Sequence, residues 1–466
     1  MDSARDQLES FAVRSRSVVT ADGETIHGTV FVRGGLIQRV QKEAEQTPPE
    51  WASCTLIDLG DTALLPGFID AHVHLNDPRP GEPWEGLHSG TMAAAAGGIT
   101  TLLDMPLNSL PVTTSRHAFD QKCDAASEQL AVDVGLYGGL VAGGARALPE
   151  LIEAGVWGVK CFLCDSGLDA FPATDHGTLR EAMVWLGKQA NPPPLLTHAE
   201  RTDEPANIST QDHNPRDHRN WLASRPGRFE QAAVKELIQL VKETGCPLHV
   251  VHVADAGTAD LIRSAKRAGL PITAETCPHY LMFCAGDVPE GGTAFKCAPP
   301  IREPEHREAL WRALADGTLD FVASDHSPCP PGMKSLEAGD FFKAWGGIAS
   351  LELGPAITWT LAKQRGHTLA DLVEWWSHAP AKRFGLPAGI AAGMPATFIA
   401  FDPDRSWQVD PARLHQRHKI TPYAGIELTG QTSAVWVRGQ KVFEAGQSTG
   451  KTIGRIITRQ TASEGN

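Results

Sequence analysis

The sequence has no apolar run long enough to cross a bilayer and no cluster of basic residues. A transmembrane helix needs about 20 consecutive apolar residues. Nucleic acids and anionic membrane surfaces are bound mainly by lysine and arginine. The formal net charge of the 466-residue chain is -13. We therefore expect neither a membrane nor a nucleic acid as its main partner, and a neutral small molecule fits this charge better.

We also expect neither a targeting segment nor a disulfide framework. The first fifteen residues, MDSARDQLESFAVRS, carry acidic side chains and no apolar core, so we expect no signal or transit peptide and a cytoplasmic location. Nine cysteines, an odd number without regular spacing, fit reduced thiols. Cys161 and Cys164 form a C-x-x-C pair, but a redox or zinc site would need a partner that the sequence does not offer, so we interpret them as packing residues.

Short alternating strands at both ends of the chain predict a small β domain. FAVRSRSVV and GTVFVRGGLIQRVQ lie near the start, on either side of the turn-forming ADGETIHG. The pattern returns near the end in ATFIAFDP and SAVWVRGQKVFEAG. The two ends are far apart in sequence, and we predict that residues 1–62 and 393–466 pair into one β-sandwich domain.

Between these segments, apolar runs of strand length alternate with helix-like stretches. Eight such runs occur: LLPGFIDAHVH, GITTLLDMP, VDVGLYGGLV, GVKCFL, PLLTHAE, PLHVVHVA, PITAETCPHY and LDFVASDHSP. This alternation predicts an α/β protein with a mainly parallel sheet. Eight strand–helix units in series predict a closed (β/α)8 TIM-like barrel over residues 63–392, with the active site at the carboxyl ends of its strands.

Two histidines close the first of these runs, in GFIDAHVHLNDP. Because side chains alternate faces along a strand, His72 and His74 point to the same side. Such a pair can bind a metal ion through two nitrogens. A pair at this spacing, taken alone, is more often an ordinary feature of a strand end, so its interpretation depends on the other strand ends.

Three further residues end other runs: His198 in PLLTHAE, His252 in HVVHVA and Asp325 in FVASDHSP. Each histidine alone fits a buried structural residue, and the aspartate alone fits a helix N-cap or a turn. Neutral imidazole is, however, a common ligand of zinc-like ions. A lone buried carboxylate is costly unless it is paired or bound to metal. Because all of them lie at strand ends of one predicted barrel, we interpret them together as metal ligands.

Lys160, in GVWGVKCFL, admits two interpretations. A protonated lysine would repel a metal ion and would extend its charge out of the barrel mouth. A desolvated lysine loses its proton readily, and a neutral amine can take up CO2 to form a carbamate. An anionic carbamate could bridge two divalent ions. Two ions and a nearby carboxylate that moves protons are the components of metal-assisted amide hydrolysis.

The segments HVH, GVKCF, THAE, HVVHVA and SDHSPC resemble the amidohydrolase superfamily, in the branch of the dihydroorotases, hydantoinases and allantoinases. The resemblance extends over essentially the whole chain, including the split β domain. It implies two divalent metal ions, with zinc expected and cobalt, manganese, nickel or iron as alternatives. It also implies that Lys160 is carboxylated and bridges the ions, that Asp325 transfers protons, and that the protein is a homotetramer. The implied metal ligands are His72, His74, Lys160, His198, His252 and Asp325.

Other positions bear on the substrate. Dihydroorotases typically carry an arginine two residues after the second histidine, which pairs with the substrate carboxylate, and here that position is Asn76. Hydantoinases usually carry a tyrosine in the loop after the bridging lysine, whereas CFLCDSGLDAFP has none. KCAPPIR, SDHSPCPPGMK and AWGGIASLELG resemble segments of allantoinases. The resemblance therefore implies hydrolysis of allantoin to allantoate.

Four residues are candidates to hold the ureide ring. They are the side chains of Asn76 and Asn108 and the main chain around Ala298 and Gly346. Asn108 fits a turn asparagine equally well. Two alternatives stay open for the whole protein: a hydantoinase- or dihydropyrimidinase-type amidase with another substituent preference, and a non-catalytic dihydropyrimidinase-like scaffold. Such scaffolds have lost metal ligands, whereas all six positions are filled here.

Overall fold

The computed structural model describes residues 10–46, 48–81, 83–202 and 214–459. The outermost parts of the predicted β domain, residues 1–9 and 460–466, lie outside the described residues. Among the helices of the described ranges, none is both long enough and apolar enough to cross a membrane.

Strands and helices alternate along most of the chain. The strands are β1 Phe11–Val19, β2 Thr25–Arg33, β3 Leu36–Lys42, β4 Thr55–Asp58, β5 Ala63–Pro66, β6 Phe68–Val73, β7 Ile99–Asp104, β8 Asp133–Leu136, β9 Gly138–Gly139, β10 Val159–Phe162, β11 Leu195–His198, β12 Leu248–Val250, β13 Ile272–Thr276, β14 Phe321–Val322, β15 Phe398–Gln408, β16 Glu427–Val437, β17 Gln440–Glu444, β18 Gln447–Ser448 and β19 Ile456–Ile457. The α-helices are α1 Leu87–Gly97, α2 Arg116–Ala125, α3 Leu148–Glu153, α4 His176–Gly187, α5 His218–Ser224, α6 Gly227–Thr244, α7 Ala256–Arg267, α8 Pro278–Met282, α9 Pro304–Ala315, α10 Gly354–Gln364, α11 Leu369–Val373 and α12 Ala379–Phe384.

The two ends of the chain share one nine-stranded sheet. Its order is β18-β17-β16-β15-β5-β1-β2-β3, and β4 pairs with β1. The N-terminal and C-terminal parts join where β5 pairs antiparallel with β15, from Phe398 opposite Pro66 to Phe401 opposite Ala63. More buried and more exposed side chains alternate along the first part of β16, as expected of an antiparallel strand with one covered face. Strands from both ends of the chain therefore lie in one sheet, and β5, which joins them, belongs to residues 63–392, the range that the sequence assigns to the barrel.

Parallel strands alternate with helices through the rest of the chain, which is α/β as the sequence predicts. Strands β9 to β14 pair in chain order, and so do β6, β7 and β8. Each of the eight predicted apolar runs contains a strand of these sheets. An isolated parallel bridge joins Val73, at the end of β6, to His326, just beyond β14. The carboxyl ends of these strands consequently lie along one side of the sheets.

The parallel strands are covered on both faces. Every residue of β6, β10 and β11 is buried, which explains why these strands read as nearly continuous apolar runs. Several helices that follow them begin at an N-cap aspartate. Asp175 and Asp255 accept hydrogen bonds from backbone N–H groups in the first turns of α4 and α7, which satisfies donors that the helix itself leaves free.

The C-terminal segment returns to the parallel strands after leaving the β domain. β19 pairs parallel with β8, so that Ile456 lies opposite Val134 and Ile457 opposite Gly135. The indole Nε1 of Trp157 donates to the Ile457 carbonyl at 2.8 Å. β19 lies within residues 393–466, which the sequence assigns to the β domain, but it pairs with a strand of the parallel sheets.

Candidate functional site

The predicted ligands lie at the carboxyl ends of five parallel strands. His72 belongs to β6 and His74 follows its last residue. Lys160 lies within β10, and His198 ends β11. His252 and Asp325 follow β12 and β14 after two and three residues, respectively. Strand order therefore brings together residues that are distant in sequence.

All six predicted ligands line one cavity of about 560 Å³. Three of the four predicted substrate contacts, Asn108, Ala298 and Gly346, line the same cavity. The wall also includes Trp221, Arg225 and Lys296. A cavity of this size with a few converging polar groups fits a small polar molecule.

The imidazoles of His72 and His74 converge on Asp325. Its Oδ1 lies 3.2 Å from His72 Nε2 and 3.3 Å from His74 Nε2. These three side chains form a group whose potential donor atoms all lie within 4.8 Å of one another. The ring of His252 lies close by, with its centroid 5.5 Å from that of His72 and 4.6 Å from that of His198.

Two of these residues have an unusual backbone conformation. His252 has φ of 42° and Asp325 has φ of 45°, in the left-handed region that residues with a Cβ rarely adopt. Such conformations cost about 1–3 kcal/mol each and concentrate at functional sites. The left-handed turn after each strand coincides with a side chain that faces the cavity.

Three of the predicted ligand histidines have a polar partner on one ring nitrogen. His72 Nδ1 lies 2.5 Å from Glu275 Oε1, and His74 Nδ1 lies 3.3 Å from Asn108 Nδ2. His198 Nε2 lies 2.7 Å from Glu200 Oε2. Such contacts fix the tautomer and the ring orientation of a metal-binding histidine.

Sequence reasoning did not assign roles to Glu275 or to Arg225. Glu275 lies in PITAETCPHY and is fully buried. Its second oxygen, Oε2, contacts His249 Nε2 at 3.0 Å. Arg225 donates to Glu200 Oε2 at 2.7 Å and lines the cavity. A glutamate inside a strand whose other residues are uncharged was the signal that could have identified Glu275, because a buried carboxyl needs a partner.

Lys160 presents a buried amine to the cavity. The residue is 1% exposed, and its Nζ lies 5.0 Å from the centroid of the Phe162 ring. No hydrogen bond or ion pair to this Nζ is found among the described residues. Burial lowers the pKa of Lys160 to about 8, and the nearby Asp325 and Glu275 carboxyls oppose this shift. The interpretation in which Lys160 extends out of the barrel mouth is therefore wrong.

The residues present fit a divalent metal centre. Burial lowers the pKa of His72 and of His252 well below the usual range, so both imidazoles are neutral, as ligation requires. The Nδ1 atom of His252 is buried and has no hydrogen-bond partner in the described part of the chain. Neutral imidazoles and one carboxylate form a donor set that zinc and similar ions accept. At His198, burial lowers the pKa but Cys164 and Glu200 outweigh it and raise the pKa to about 9, so this imidazole would have to lose a proton to bind a metal ion.

Asn76 does not join the other predicted substrate contacts. It is 1% exposed and is not among the residues that line the cavity. Its Nδ2 donates to the Pro328 carbonyl at 3.5 Å, and its φ is 66°. The substrate role of Asn76 stays a prediction, without geometric support.

A sequence profile described as the amidohydrolase family matches residues 63–442. The chain is 41% identical to an allantoinase of Arabidopsis thaliana, over 96% of this chain and 91% of that protein. It is 42% identical to an allantoinase of Streptomyces avermitilis, over 96% of this chain and 98% of that protein. An allantoinase of Saccharomyces cerevisiae is 38% identical over 85% of this chain and 86% of its own.

Solved structures agree with this relationship. An L-hydantoinase (dihydropyrimidinase) from Arthrobacter aurescens superposes with a TM-score of 0.88 at 30% identity, covering 96% of this chain and 99% of that one. A dihydropyrimidinase from Brevibacillus agri superposes with a TM-score of 0.85 at 27% identity, covering 96% and 98%. The present chain therefore belongs to the amidohydrolase family, in its allantoinase group.

Proposed function

We propose that this protein hydrolyses the ring amide of allantoin to give allantoate. The observation that carries the proposal is that all six predicted ligands, from five strand ends, line one cavity. In the reaction, water adds its oxygen to the amide carbonyl carbon, the ring C–N bond breaks, and the departing nitrogen takes up a proton. The allantoinases to which the chain is similar support the choice of substrate.

Two divalent ions, with zinc expected and cobalt, manganese, nickel or iron as alternatives, are part of this proposal. Bound there, they would polarise the carbonyl and supply activated water at neutral pH. His72 and His74 would hold one ion, and His198 and His252 the other. Carboxylated Lys160 would bridge them, which would convert a buried, unpartnered amine into a two-oxygen ligand.

Asp325 is the residue that moves the proton. Its carboxylate lies beside His72 and His74, and its side chain is 12% exposed towards the cavity side. A carboxylate at this position can take a proton from the attacking water and deliver it to the departing nitrogen. Asn108, Ala298 and Gly346, which line the same cavity, would orient the ureide ring.

A hydantoinase-type amidase is the second candidate, because solved hydantoinases superpose over nearly the whole chain. It would use the same centre on a ring with another substituent. A non-catalytic scaffold is disfavoured by the complete set of ligands. The enzyme is a hydrolase of cyclic amide C–N bonds under either catalytic candidate.

We also propose that the parallel strands close into an eight-stranded barrel over residues 63–392, with residues 1–62 and 393–466 forming a β-sandwich. The bridge from Val73 to His326 supports closure between the first and last strands. The homotetramer and the cytoplasmic location stay predictions from the sequence.

Ring opening of allantoin, hydantoin and dihydroorotate by the purified protein, together with metal analysis, tests the function. We expect turnover of allantoin in preference to the other two and about two metal equivalents per chain. Preferential turnover of hydantoin would favour the second candidate. Failure to open any of the three rings in the metal-loaded protein would refute the proposal.

The variant Lys160→Ala tests the bridging role. We expect it to lose activity and one metal equivalent, because the bridging oxygens are lost, and to recover part of both with a small carboxylic acid. Lys188→Ala, at an exposed lysine after α4, is the matched control. Full activity and full metal content in Lys160→Ala would contradict the assignment.

A further inference from the structure

Lys334 is a buried cation without a carboxylate partner in the described ranges. It ends the 3₁₀ turn Pro331–Lys334 and is 4% exposed. A buried ammonium group is costly unless its donors are satisfied. The partners of its three N–H groups therefore indicate what the residue does.

All three partners are main-chain carbonyls. Lys334 Nζ donates to the carbonyls of Lys296, Trp345 and Gly347 at 3.2, 3.0 and 2.5 Å. The ammonium thus joins two segments, residues 296–298 and 345–347, that are distant in sequence. An ammonium group has three donors and no acceptor, and here each donor meets a carbonyl.

Backbone contacts reinforce the same junction. The Gly347 N–H donates to the Lys296 carbonyl at 2.9 Å, and the Trp345 N–H donates to the Met333 carbonyl at 2.8 Å. A Cβ built on Gly346 would lie 4.0 Å from the Ala298 nitrogen, so the two segments face each other closely. Both segments supply residues of the cavity wall.

The backbone N–H groups of Ala298 and Gly346 are available to a ligand. Neither donates a hydrogen bond to a partner in the described part of the chain. Both residues line the cavity. Main-chain groups can recognise a ring only if their positions are fixed, because a displacement of about 1 Å weakens a hydrogen bond strongly.

We propose that Lys334 is a positioning residue that fixes these two main-chain segments and so sets the affinity of the cavity for the substrate ring. This inference rests on the proposed function for the identity of the ring, a neutral cyclic ureide. Lys334 itself does not line the cavity and acts through the segments that it holds.

Lys334→Met tests this role, since methionine keeps much of the stem and removes all three donors. We expect KM for allantoin to rise about tenfold or more, with kcat within about threefold and metal content unchanged. Lys334→Gln, which keeps two N–H donors, should lie between the wild type and Lys334→Met. Lys42→Met, at an exposed lysine of the β domain, is the control.

Hydrogen–deuterium exchange of the metal-loaded protein tests the same role without a substrate. Peptides that contain residues 296–298 and 345–347 should exchange faster in Lys334→Met than in the wild type, while peptides of β6 and β11 should not change. If the wild type does not open allantoin, the proposed function fails, and the exchange result still decides the positioning role. Unchanged KM or unchanged exchange in a folded Lys334 variant would overturn the inference.

Discussion

Glu275 offers a sharp test of how the proposed metal-binding histidines are held. It is fully buried in β13, with Oε1 at 2.5 Å from His72 Nδ1 and Oε2 at 3.0 Å from His249 Nε2. The contact leaves His72 Nε2 facing Asp325. We predict that Glu275 sets the orientation of His72 and, through it, the affinity for one metal ion.

Burial favours the protonated form of the Glu275 carboxyl group. Burial raises the pKa of Glu275 well above its usual range, and burial lowers the pKa of His249. A protonated carboxyl presents one donor and one acceptor. It can therefore donate to His249 Nε2 and accept from His72 Nδ1–H. A glutamine side chain presents a donor and an acceptor at the same two positions.

Two variants separate hydrogen bonding from charge. Glu275→Gln keeps both contacts, and we expect metal affinity within about threefold of the wild type. Glu275→Leu removes both contacts at similar volume. Loss of the partner of a metal-binding histidine costs about 10–100-fold in metal affinity, which corresponds to about 1.4–2.7 kcal/mol. Two buried ring nitrogens without partners should cost a further ~2–6 kcal/mol of folding stability at ~1–3 kcal/mol each.

Chelator competition measures the metal affinity, and urea denaturation measures the stability. In Glu275→Leu the first metal equivalent should leave at a lower chelator concentration than in the wild type, while the ion proposed at His198 and His252 should be retained. Glu305→Leu, at an exposed glutamate of α9, is the control. If Glu275→Gln loses metal as readily as Glu275→Leu, a negative charge is required and the reasoning is refuted.

Two further predictions concern the cavity wall and the buried charges. Gly346→Ala should raise KM for allantoin about tenfold, because Gly346 lines the cavity. Its melting temperature should change little, because the added Cβ would meet only ordinary contacts, 4.0 Å from the Ala298 nitrogen. Gly347→Ala should instead lower the melting temperature, because its Cβ would lie 2.2 Å from a backbone oxygen. Thermal melts and steady-state kinetics on both variants test this pair. A lower melting temperature in Gly346→Ala than in Gly347→Ala would contradict the prediction. Lys122→Met should lower the free energy of unfolding by about 3–5 kcal/mol, because Lys122 Nζ lies 2.5 Å from Asp104 Oδ2 with both side chains buried. Urea denaturation measures this loss, and a double variant that also carries Asp104→Asn should recover part of it; equal stability of Lys122→Met and wild type would contradict the assignment.

The candidate ligands could be predicted because each carries a local signal. His198 and Asp325 each interrupt an apolar run at the point where a strand ends, and Lys160 is a cation inside such a run. Parallel strands in series then require their carboxyl ends to meet. The alternation of strands and helices and the position of the cavity were therefore predictable from local patterns alone.

The residues that position the candidate ligands and the cavity wall could not be predicted in this way. Glu275 is 203 residues from His72, and only the pairing of strands brings them into contact. Lys334 lies in a polar, proline-containing segment in which a lysine would ordinarily be exposed to solvent. Its role depends on three carbonyls from two distant segments, and carbonyls have no signature in the sequence.

The alternation of side chains along a strand does not extend to Asn76. The prediction that Asn76 contacts the substrate assumes that its side chain faces the same side as His72 and His74. This assumption holds only if the strand continues as far as Asn76. β6 ends at Val73, and the backbone reaches φ of 66° at Asn76, which turns its amide towards the Pro328 carbonyl. Direct contact between this amide and the ring therefore stays a prediction from the sequence. The wall formed by Ala298 and Gly346 offers two main-chain N–H donors that have no partner among the described residues, so variants of this wall test the choice of substrate as directly as variants of Asn76.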